Sequence, residues 1–270
     1  MENKLPNNKI GAASPKDNLL TKARKFLTED IVEITEQQIL NMVAYRRSPS
    51  PGADATKPKY QLITPTGVIY FKFNLTENEI CAEITSYHAA HALDIPAAQT
   101  RLALYKDTLG VASWDVGEYT EPCDIESYSI GDFLQLNGFV EMCLFDYLII
   151  NEDRHARNWG YTKCGLVPLF DHNVCFGGEV PPKDIHNFFY EATSAFVAAE
   201  EYQHQHDLIL KELCRREPDK VKAFLKKVEV LPDLNLSILE ELYPQAYNIL
   251  GKLYAARKAY MLQKGREYLV

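Results

Sequence analysis

Long apolar runs, an N-terminal signal core and closely spaced cysteines are all missing from this sequence. The longest apolar run, at 142–150, is interrupted by Asp146, whereas a membrane-spanning helix needs ~20 consecutive apolar residues. The polar N-terminus lacks the apolar core of a secretory signal. None of the six cysteines forms a Cys-x-x-Cys motif, so unpaired thiols in a reducing compartment are expected. Together these absences predict a cytoplasmic protein that does not bind membranes.

Basic side chains are also few relative to acidic ones. The 270 residues include 29 Lys and Arg against 37 Asp and Glu, for a formal charge of −8. An acidic surface argues against direct binding of nucleic acid, so a DNA-binding repressor is disfavoured and would need a basic partner. The content of hydrophobic residues, 46%, and of charged residues, 24%, is that of a globular protein, which excludes wholesale disorder and coiled coil.

The first half of the chain predicts a small sheet crossed by one helix. Alternating apolar residues around turn formers indicate two β-hairpins, whereas apolar residues at helical spacing indicate helices. The predicted strands are 60–64 and 68–74, then 99–105 and 111–116; the predicted helices are 19–27, 35–43 and 77–93.

The second half of the chain is dominated by helical patterns. A long, mostly apolar helix at 130–150 should be buried, and a short strand at 166–170 has 159–162 as its hairpin partner. Further helices are predicted at 199–215, 219–227 and 244–268. A sheet-rich half followed by a helix-rich half predicts an α+β fold with two lobes, a small N-lobe at 1–121 and a helical C-lobe at 122–270.

A polar loop after the long helix carries the strongest chemical signal. Residues 151–158 contain seven ionisable or amide side chains, and a short apolar strand further on ends in Asp171. Asn158 and Asp171 offer the hard oxygen atoms that Mg²⁺ prefers when phosphates supply its other ligands. Asp153 is placed to accept a hydroxyl proton and orient a nucleophile. For any one of these residues alone a solvated polar turn is the better interpretation, but their joint spacing favours phosphoryl transfer from a magnesium nucleotide.

Lys72 is the second signal, because it alternates with Phe71 and Phe73 on a predicted strand. A lysine in this position is usually a solubility device of an edge strand. A lysine that binds phosphates needs an anion to fix its direction, and the following helix supplies one. Glu83 is favoured over Glu77 and Glu79 because it lies deeper in that helix.

The loop at 48–58 is the third signal, since it precedes the first hairpin strand, where a phosphate-covering loop would belong. Its single glycine excludes a Walker loop and a kinase glycine triplet. Gly52, Ala53 and Asp54 still allow close approach of the backbone to a nucleotide, and Ser48 and Ser50 can be phosphorylated. A plain linker is an equally good interpretation of this segment.

These motifs together resemble the HipA-like kinase family, which has a protein-kinase-like fold. Residues 153–158 read Asp-Arg-His-Ala-Arg-Asn, similar to that family's Asp-Arg-His-x-x-Asn catalytic loop, and 168–171 read Pro-Leu-Phe-Asp, similar to its magnesium-binding segment. The segments at 71–73 and 82–83 resemble its nucleotide lysine and helix glutamate. The resemblance implies a Ser/Thr protein kinase that uses ATP and Mg²⁺, with Lys72 on the phosphates, Glu83 on Lys72, and Asn158 and Asp171 on the metal.

The resemblance also implies partners and a modification. Family members phosphorylate protein targets, some of them components of translation, and many are toxins of toxin–antitoxin pairs that autophosphorylate a loop serine, here Ser48 or Ser50. About fifty residues precede the loop, too few for the family's N-terminal subdomain, so this chain resembles short members that use a small accessory protein. Asp115 and Val116 stand where a kinase hinge would bind adenine.

Two alternatives remain open at the level of sequence. A small-molecule or lipid kinase would use the same core, and a non-catalytic nucleotide-binding module would keep the fold and regulate a partner.

Overall fold

The structure, a computed structural model, describes residues 15–27, 31–35, 43–44, 59–64, 67–121, 130–151, 153–154, 158–177 and 206–270. In this part of the chain strands dominate up to residue 114 and helices dominate after residue 130, so the predicted α+β fold is confirmed. The predicted boundary between residues 121 and 122 borders a stretch outside the described residues and stays a prediction.

A six-stranded sheet forms the N-terminal half, in the order β1-β5-β6-β4-β3-β2. Strand β1 runs parallel to β5, and the other pairs are antiparallel. Both predicted hairpins are present, β3 with β4 and β5 with β6, with strand ends that lie within three residues of the expected bounds. The strands are β1 Ile31–Ile34, β2 Val43–Ala44, β3 Lys59–Thr64, β4 Gly67–Lys72, β5 Thr100–Tyr105 and β6 Thr108–Trp114.

Helix α2, Glu77–Ala92, crosses this sheet, while α1, Pro15–Lys25, lies near the N-terminus. Thr76 and Glu79 form a capping box that starts α2, in which each side chain accepts a hydrogen bond from the backbone of the other. Helix α2 contacts β5 and β6 on one side and the long C-terminal helix on the other. Because it is buried between these layers, it holds even the charged Glu83 away from solvent.

The helical half contains six helices among the described residues. The apolar segment predicted as one helix at 130–150 is two helices, because Gly138 adopts a φ of 89° that a right-handed helix does not allow. The segment predicted as a strand at 166–170 is not a continuous strand: Leu166 belongs to the two-residue strand β8, Gly165–Leu166, which pairs with β7, Tyr161–Thr162, and Leu169 forms a single parallel bridge with Ala97. The helices are α3 Ile130–Gln135, α4 Phe139–Ile149, α5 His206–Arg216, α6 Pro218–Val230, α7 Ser237–Leu242 and α8 Pro244–Tyr268.

The other helix predictions have mixed outcomes. The bounds predicted for α8 are confirmed, and α1 and α6 begin or end within a few residues of the expected positions. The helix predicted at 35–43 is wrong at its end, because Val43 lies in strand β2; its residues 36–42 lie outside the described chain. The first part of the helix predicted at 199–215 also lies outside it.

One hydrophobic core extends through both halves of the molecule. It joins buried residues of α2 and the sheet to those of α4, α6 and α8. A smaller apolar cluster, which includes Ile69 and Phe71, occupies the opposite face of the sheet. Within the described residues no helix combines the length and apolar character needed to cross a membrane.

Candidate active site

Lys72, at the end of β4, faces two carboxylates. Its neighbour Phe71 packs into the small apolar cluster on the opposite face of the sheet, so strand alternation directs Lys72 towards α2. The Lys72 Nζ atom lies 2.9 Å from Glu83 Oε1 and 2.8 Å from Asp171 Oδ1. The structure therefore brings together three predicted site residues from a strand, a helix and a loop.

The charges of this cluster stabilise one another. Burial alone would lower the pKa of Lys72, but Asp171 and Glu83 outweigh that effect and raise it above the ordinary value. Burial alone would raise the pKa of Asp171, but Lys72 and Lys59 hold it below the usual range. The ammonium group of Lys72 and the carboxylate of Asp171 are therefore both charged at neutral pH.

Glu83 is the helix carboxylate that reaches Lys72, as the sequence favoured. Its second oxygen, Oε2, accepts a hydrogen bond of 2.9 Å from the backbone N–H of His172. Glu79 is used instead in the capping box, and Glu77 is exposed at the start of the helix. Glu83 thus links the lysine to the backbone of the residue that follows Asp171.

Lys59 is a site residue that sequence reasoning missed. Its Nζ atom lies 3.6 Å from Asp171 Oδ2, so the two Asp171 oxygens face different lysines. Lys59 is the cross-strand partner of Lys72 in the β3–β4 ladder. The register of the predicted hairpin was the signal that could have found it, because residues directly opposite on antiparallel strands lie close together.

A buried ion pair supports the polar loop that follows α4. Arg154 and Asp146 are both almost fully buried. The Arg154 Nε atom lies 3.0 Å from Asp146 Oδ2, and its Nη2 lies 3.0 Å from Asp146 Oδ1. Asn151 also donates to Asp146 Oδ1, at 2.9 Å. The carboxylate that interrupts the apolar run in the sequence is therefore the anchor of the loop.

The same guanidinium group links the two residues predicted to bind magnesium. Arg154 Nη1 donates to the carbonyl oxygen of Asn158 at 2.7 Å and to that of Phe170, the residue before Asp171, at 3.0 Å. The backbones that carry Asn158 and Asp171 consequently lie on either side of one nitrogen atom. Their closeness in space, which the sequence implied only by motif spacing, has a specific physical cause.

Asn158 presents an oxygen atom that suits a metal ion. Its Nδ2 donates to the carbonyl oxygen of Asp153, and its buried Oδ1 has no hydrogen-bond partner in the described structure. An unsatisfied buried amide oxygen is costly unless a ligand binds it. Together with the Asp171 carboxylate, it supplies the small oxygen ligand set that Mg²⁺ takes alongside phosphates, so the residues present fit this ion.

Asp153 lies in the same loop as Asn158, and its side chain is only partly buried. Its backbone N–H donates to Asn151 Oδ1 at 3.0 Å, and its carbonyl oxygen accepts from Asn158. The backbone of Asp153 is therefore held on both sides while its side chain remains partly accessible.

The remaining predicted residues are those of the hinge, which the structure describes, and those of the phosphate loop, which it does not. Asp115 and Val116 directly follow β6, and the Asp115 N–H donates to the Val68 carbonyl oxygen at 2.9 Å. The predicted phosphate loop lies outside the described residues. Its candidate residues are Ser48, Ser50, Gly52, Ala53 and Asp54. Among the described side chains no group of three His, Cys, Asp or Glu residues is arranged to hold a metal, so the proposed magnesium site rests on Asn158 and Asp171.

The sheet, the crossing helix and the helical half together form a protein-kinase-like fold. The structure is similar to the proinflammatory kinase CtkA of Helicobacter pylori, with a TM-score of 0.52 and 15% sequence identity over 88% of this chain and 99% of that one. It is also matched to HipA of Shewanella oneidensis, solved with HipB and operator DNA, with a TM-score of 0.37 and 14% identity over 84% of this chain and 68% of that one. No family model matches the sequence, and no curated protein does. The likeness to CtkA shows the fold alone.

Proposed function

We propose that this protein transfers the γ-phosphoryl group of ATP to a serine or threonine hydroxyl of a protein substrate, in the manner of the HipA-like kinases that its motifs resemble. The observation that carries the proposal is the position of Lys72 between Glu83 and Asp171, at 2.9 and 2.8 Å. In protein kinases a strand lysine held by a helix glutamate, beside a metal-binding aspartate, is the arrangement that phosphoryl transfer requires.

Each residue of the cluster has a distinct task in this proposal. Lys72, oriented by Glu83, binds the α- and β-phosphates, and Lys59 adds a second positive charge beside them. Asn158 Oδ1 and the Asp171 carboxylate hold Mg²⁺, which when bound neutralises the phosphate charge. Arg154 keeps the Asn158 and Asp171 backbones at a fixed separation.

Asp153 acts on the acceptor in this proposal. As the acceptor oxygen bonds to the γ-phosphorus, the bond from that phosphorus to the leaving ADP oxygen breaks, and Asp153 accepts the hydroxyl proton. Little covalent chemistry is asked of the protein, so positioning and charge account for nearly all of the catalysis. An accessory protein, a toxin–antitoxin role and autophosphorylation at Ser48 or Ser50 belong to the same proposal.

Transfer of labelled phosphate from Mg-ATP tests the role of Asp153. We expect Asp153→Ala to lower transfer by about 10²–10⁴-fold, the usual contribution of a general base, while Mg-ATP still raises the melting temperature. Asp219→Ala is the matched control, because Asp219 is 97% exposed on α6, and it should transfer as the wild type does. Equal labelling by Asp153→Ala and wild type would show that the assigned role is wrong.

Metal removal tests whether the proposed reaction depends on a divalent cation. Chelation with EDTA should abolish transfer and reduce the thermal stabilisation by ATP, because stabilisation grows with the ratio of ligand concentration to its dissociation constant. Nucleotide binding without transfer to any protein, lipid or small-molecule acceptor would instead favour a non-catalytic nucleotide-binding module. Transfer to a lipid or small molecule alone would favour the other kinase alternative.

A further inference from the structure

A separate cavity lies behind the segment that leads to Asp171. It has a volume of about 340 Å³ and is bounded by the loop after α2, the turn between α3 and α4 together with the first turn of α4, the end of β8 with the segment after it, and α6. Cavities of ~300–1,000 Å³ with apolar walls are the usual sites of small ligands. None of its lining residues belongs to the Lys72 cluster, so the cavity is not part of the proposed active site.

The wall of the cavity is rigid where it approaches the active site. Leu169, in the wall, donates its N–H to the Pro96 carbonyl oxygen at 2.8 Å, and its own carbonyl accepts from Ala98 N–H at 2.8 Å. These hydrogen bonds fix the segment two residues before Asp171 to the loop after α2. The cavity is therefore preformed by backbone contacts, which favours ligand binding because little ordering remains to be done.

The two lysines of the cavity are already bound to the protein. Lys220 Nζ donates to the Leu134 carbonyl oxygen at 3.1 Å and lies 3.2 Å from a Glu217 carboxylate oxygen. Lys227 Nζ donates to the Leu93 carbonyl oxygen at 2.9 Å and lies 3.4 Å from Asp94 Oδ2. Both ammonium groups thus have an anionic and a neutral acceptor within the chain.

Glu141, in the first turn of α4, is the charged lining residue without such partners. Its half-buried side chain makes no hydrogen bond or ion pair within the described structure. Its place near a helix N-terminus favours the negative charge but supplies no side-chain partner. The charges of the lining residues balance, two lysines against Asp94 and Glu141. Because Lys220 pairs with Glu217 and Lys227 pairs with Asp94, the carboxylate of Glu141 is the lining charge that remains unpaired.

We propose that this cavity binds a small organic cation, a primary amine with an apolar body. The apolar body would lie against side chains such as Leu166, Val167 and Phe224, and the ammonium group would donate to the carboxylate of Glu141. The carboxylate accepts a charge-assisted hydrogen bond from any donor, but it attracts only a cationic ligand as an opposite charge, so a cation should bind more tightly than a neutral molecule of the same shape. No nucleotide takes part, and the proposal does not depend on the proposed phosphoryl transfer.

Three probes that share one apolar frame test the proposal: phenethylamine, 2-phenylethanol and phenylacetate. Binding to the wild-type protein is measured by ligand-observed NMR, which suits weak ligands. We expect the amine to bind about tenfold more tightly than the alcohol, because both donate a hydrogen bond to the carboxylate but only the amine adds the attraction between opposite charges, and we expect phenylacetate to bind most weakly. Equal binding of the three probes, tighter binding of phenylacetate, or no binding of any of them would overturn the proposal.

Two variants locate the binding. Glu141→Gln keeps the size of the side chain and removes its charge, so the amine should lose its advantage over the alcohol, and the affinity of the alcohol should fall by less than that of the amine. Ala223→Leu, in the cavity wall, should weaken all three probes by filling the space. An amine preference that survives Glu141→Gln would place the site elsewhere and contradict the proposal. The comparison of probes on the wild type stands even if a variant fails to fold.

Discussion

At the scale of single residues, Arg154 forms several of the hydrogen bonds that hold the candidate site together. Its guanidinium group binds the Asp146 carboxylate through Nε and Nη2 and two backbone carbonyl oxygens through Nη1. The planar group suits such parallel hydrogen bonds, and a lysine cannot reproduce them. Because the pair is buried, its members are costly to separate: removal of one leaves the other as an unpaired charge in the interior.

Substitution Arg154→Met tests this at the level of stability. We expect the free energy of unfolding to fall by about 3–5 kcal/mol, the cost of leaving a buried carboxylate without its partner, as measured by urea denaturation. Arg215→Met is the control, because Arg215 forms an ion pair with Glu212 at 2.7 Å but is 64% exposed, and it should cost less than about 1 kcal/mol. Similar losses for the two variants would contradict the assigned role of Arg154.

The residues of the Lys72 cluster were predictable for different reasons. The sequence pointed to three of them, because phosphate binding, orientation of the lysine and metal binding each require particular residue types at particular places. These are Lys72 in an alternating strand, Glu83 in the following helix and Asp171 at the end of a predicted strand. Lys59 was missed because its signal is the register of a hairpin, not its local sequence. Asp146 was missed because an isolated carboxylate in an apolar run reads as an interruption, and only its contact with Arg154 reveals its function.

At the scale of elements, the break between α3 and α4 determines how the polar loop is directed. The apolar pattern continues across the break, so the sequence predicted one helix at 130–150. An isolated glycine inside such a pattern is tolerated in a helix, and hydrophobic periodicity does not report backbone φ. Gly138 adopts a left-handed φ of 89° there, which redirects the chain before α4 begins.

Alanine substitution at two helix-associated glycines separates conformation from packing. A Cβ atom at Gly138 would meet nothing closer than Leu166 at 3.6 Å, but the φ of 89° strains any L-residue. We expect Gly138→Ala to cost about 1–2 kcal/mol of unfolding free energy. Gly251→Ala, inside α8 with open space around it, should instead stabilise by about 0.4–1 kcal/mol. Thermal or urea unfolding distinguishes the two, and a stabilising Gly138→Ala would contradict the observed break.

Strand β1 shows where element prediction from sequence ends. Its four residues, Ile31–Ile34, carry no turn signal and pair in parallel with β5, far along the chain. The hairpin strands were predictable because their partners are neighbours in sequence and the turns mark them. A parallel strand has no such local marker, since its partner is fixed by tertiary packing alone.

At the scale of the whole molecule, a core shared by both halves buries most of the described cysteines. Cys81, Cys143, Cys175 and Cys214 are buried, whereas Cys164 is exposed in the turn between β7 and β8. Burial raises the pKa of Cys81 to about 12 and that of Cys214 to about 11. The thiolate is the reactive form, so these buried thiols should be inert in the folded state.

Thiol labelling therefore reports on the integrity of this core. In a Cys123→Ser variant, which removes the one cysteine outside the described residues, we expect one thiol per chain to react promptly with a chromogenic disulfide at pH 8. The other four should react only after unfolding in urea, because burial limits both access and ionisation. Prompt reaction of two or more thiols in the native protein would show that the core is not packed as described.

The double contact of Arg154 Nη1 also has a consequence for protein engineering. Arg154 Nη1 binds the carbonyl oxygens of Asn158 and Phe170, and the β7–β8 hairpin lies between these two residues in the chain. Both ends of this segment are therefore held by hydrogen bonds to Arg154, while Lys163 and Cys164 at the tip of the hairpin are exposed. The tip is accordingly a place where a fluorescent or affinity peptide can be spliced into the chain without altering the spacing between Asn158 and Asp171.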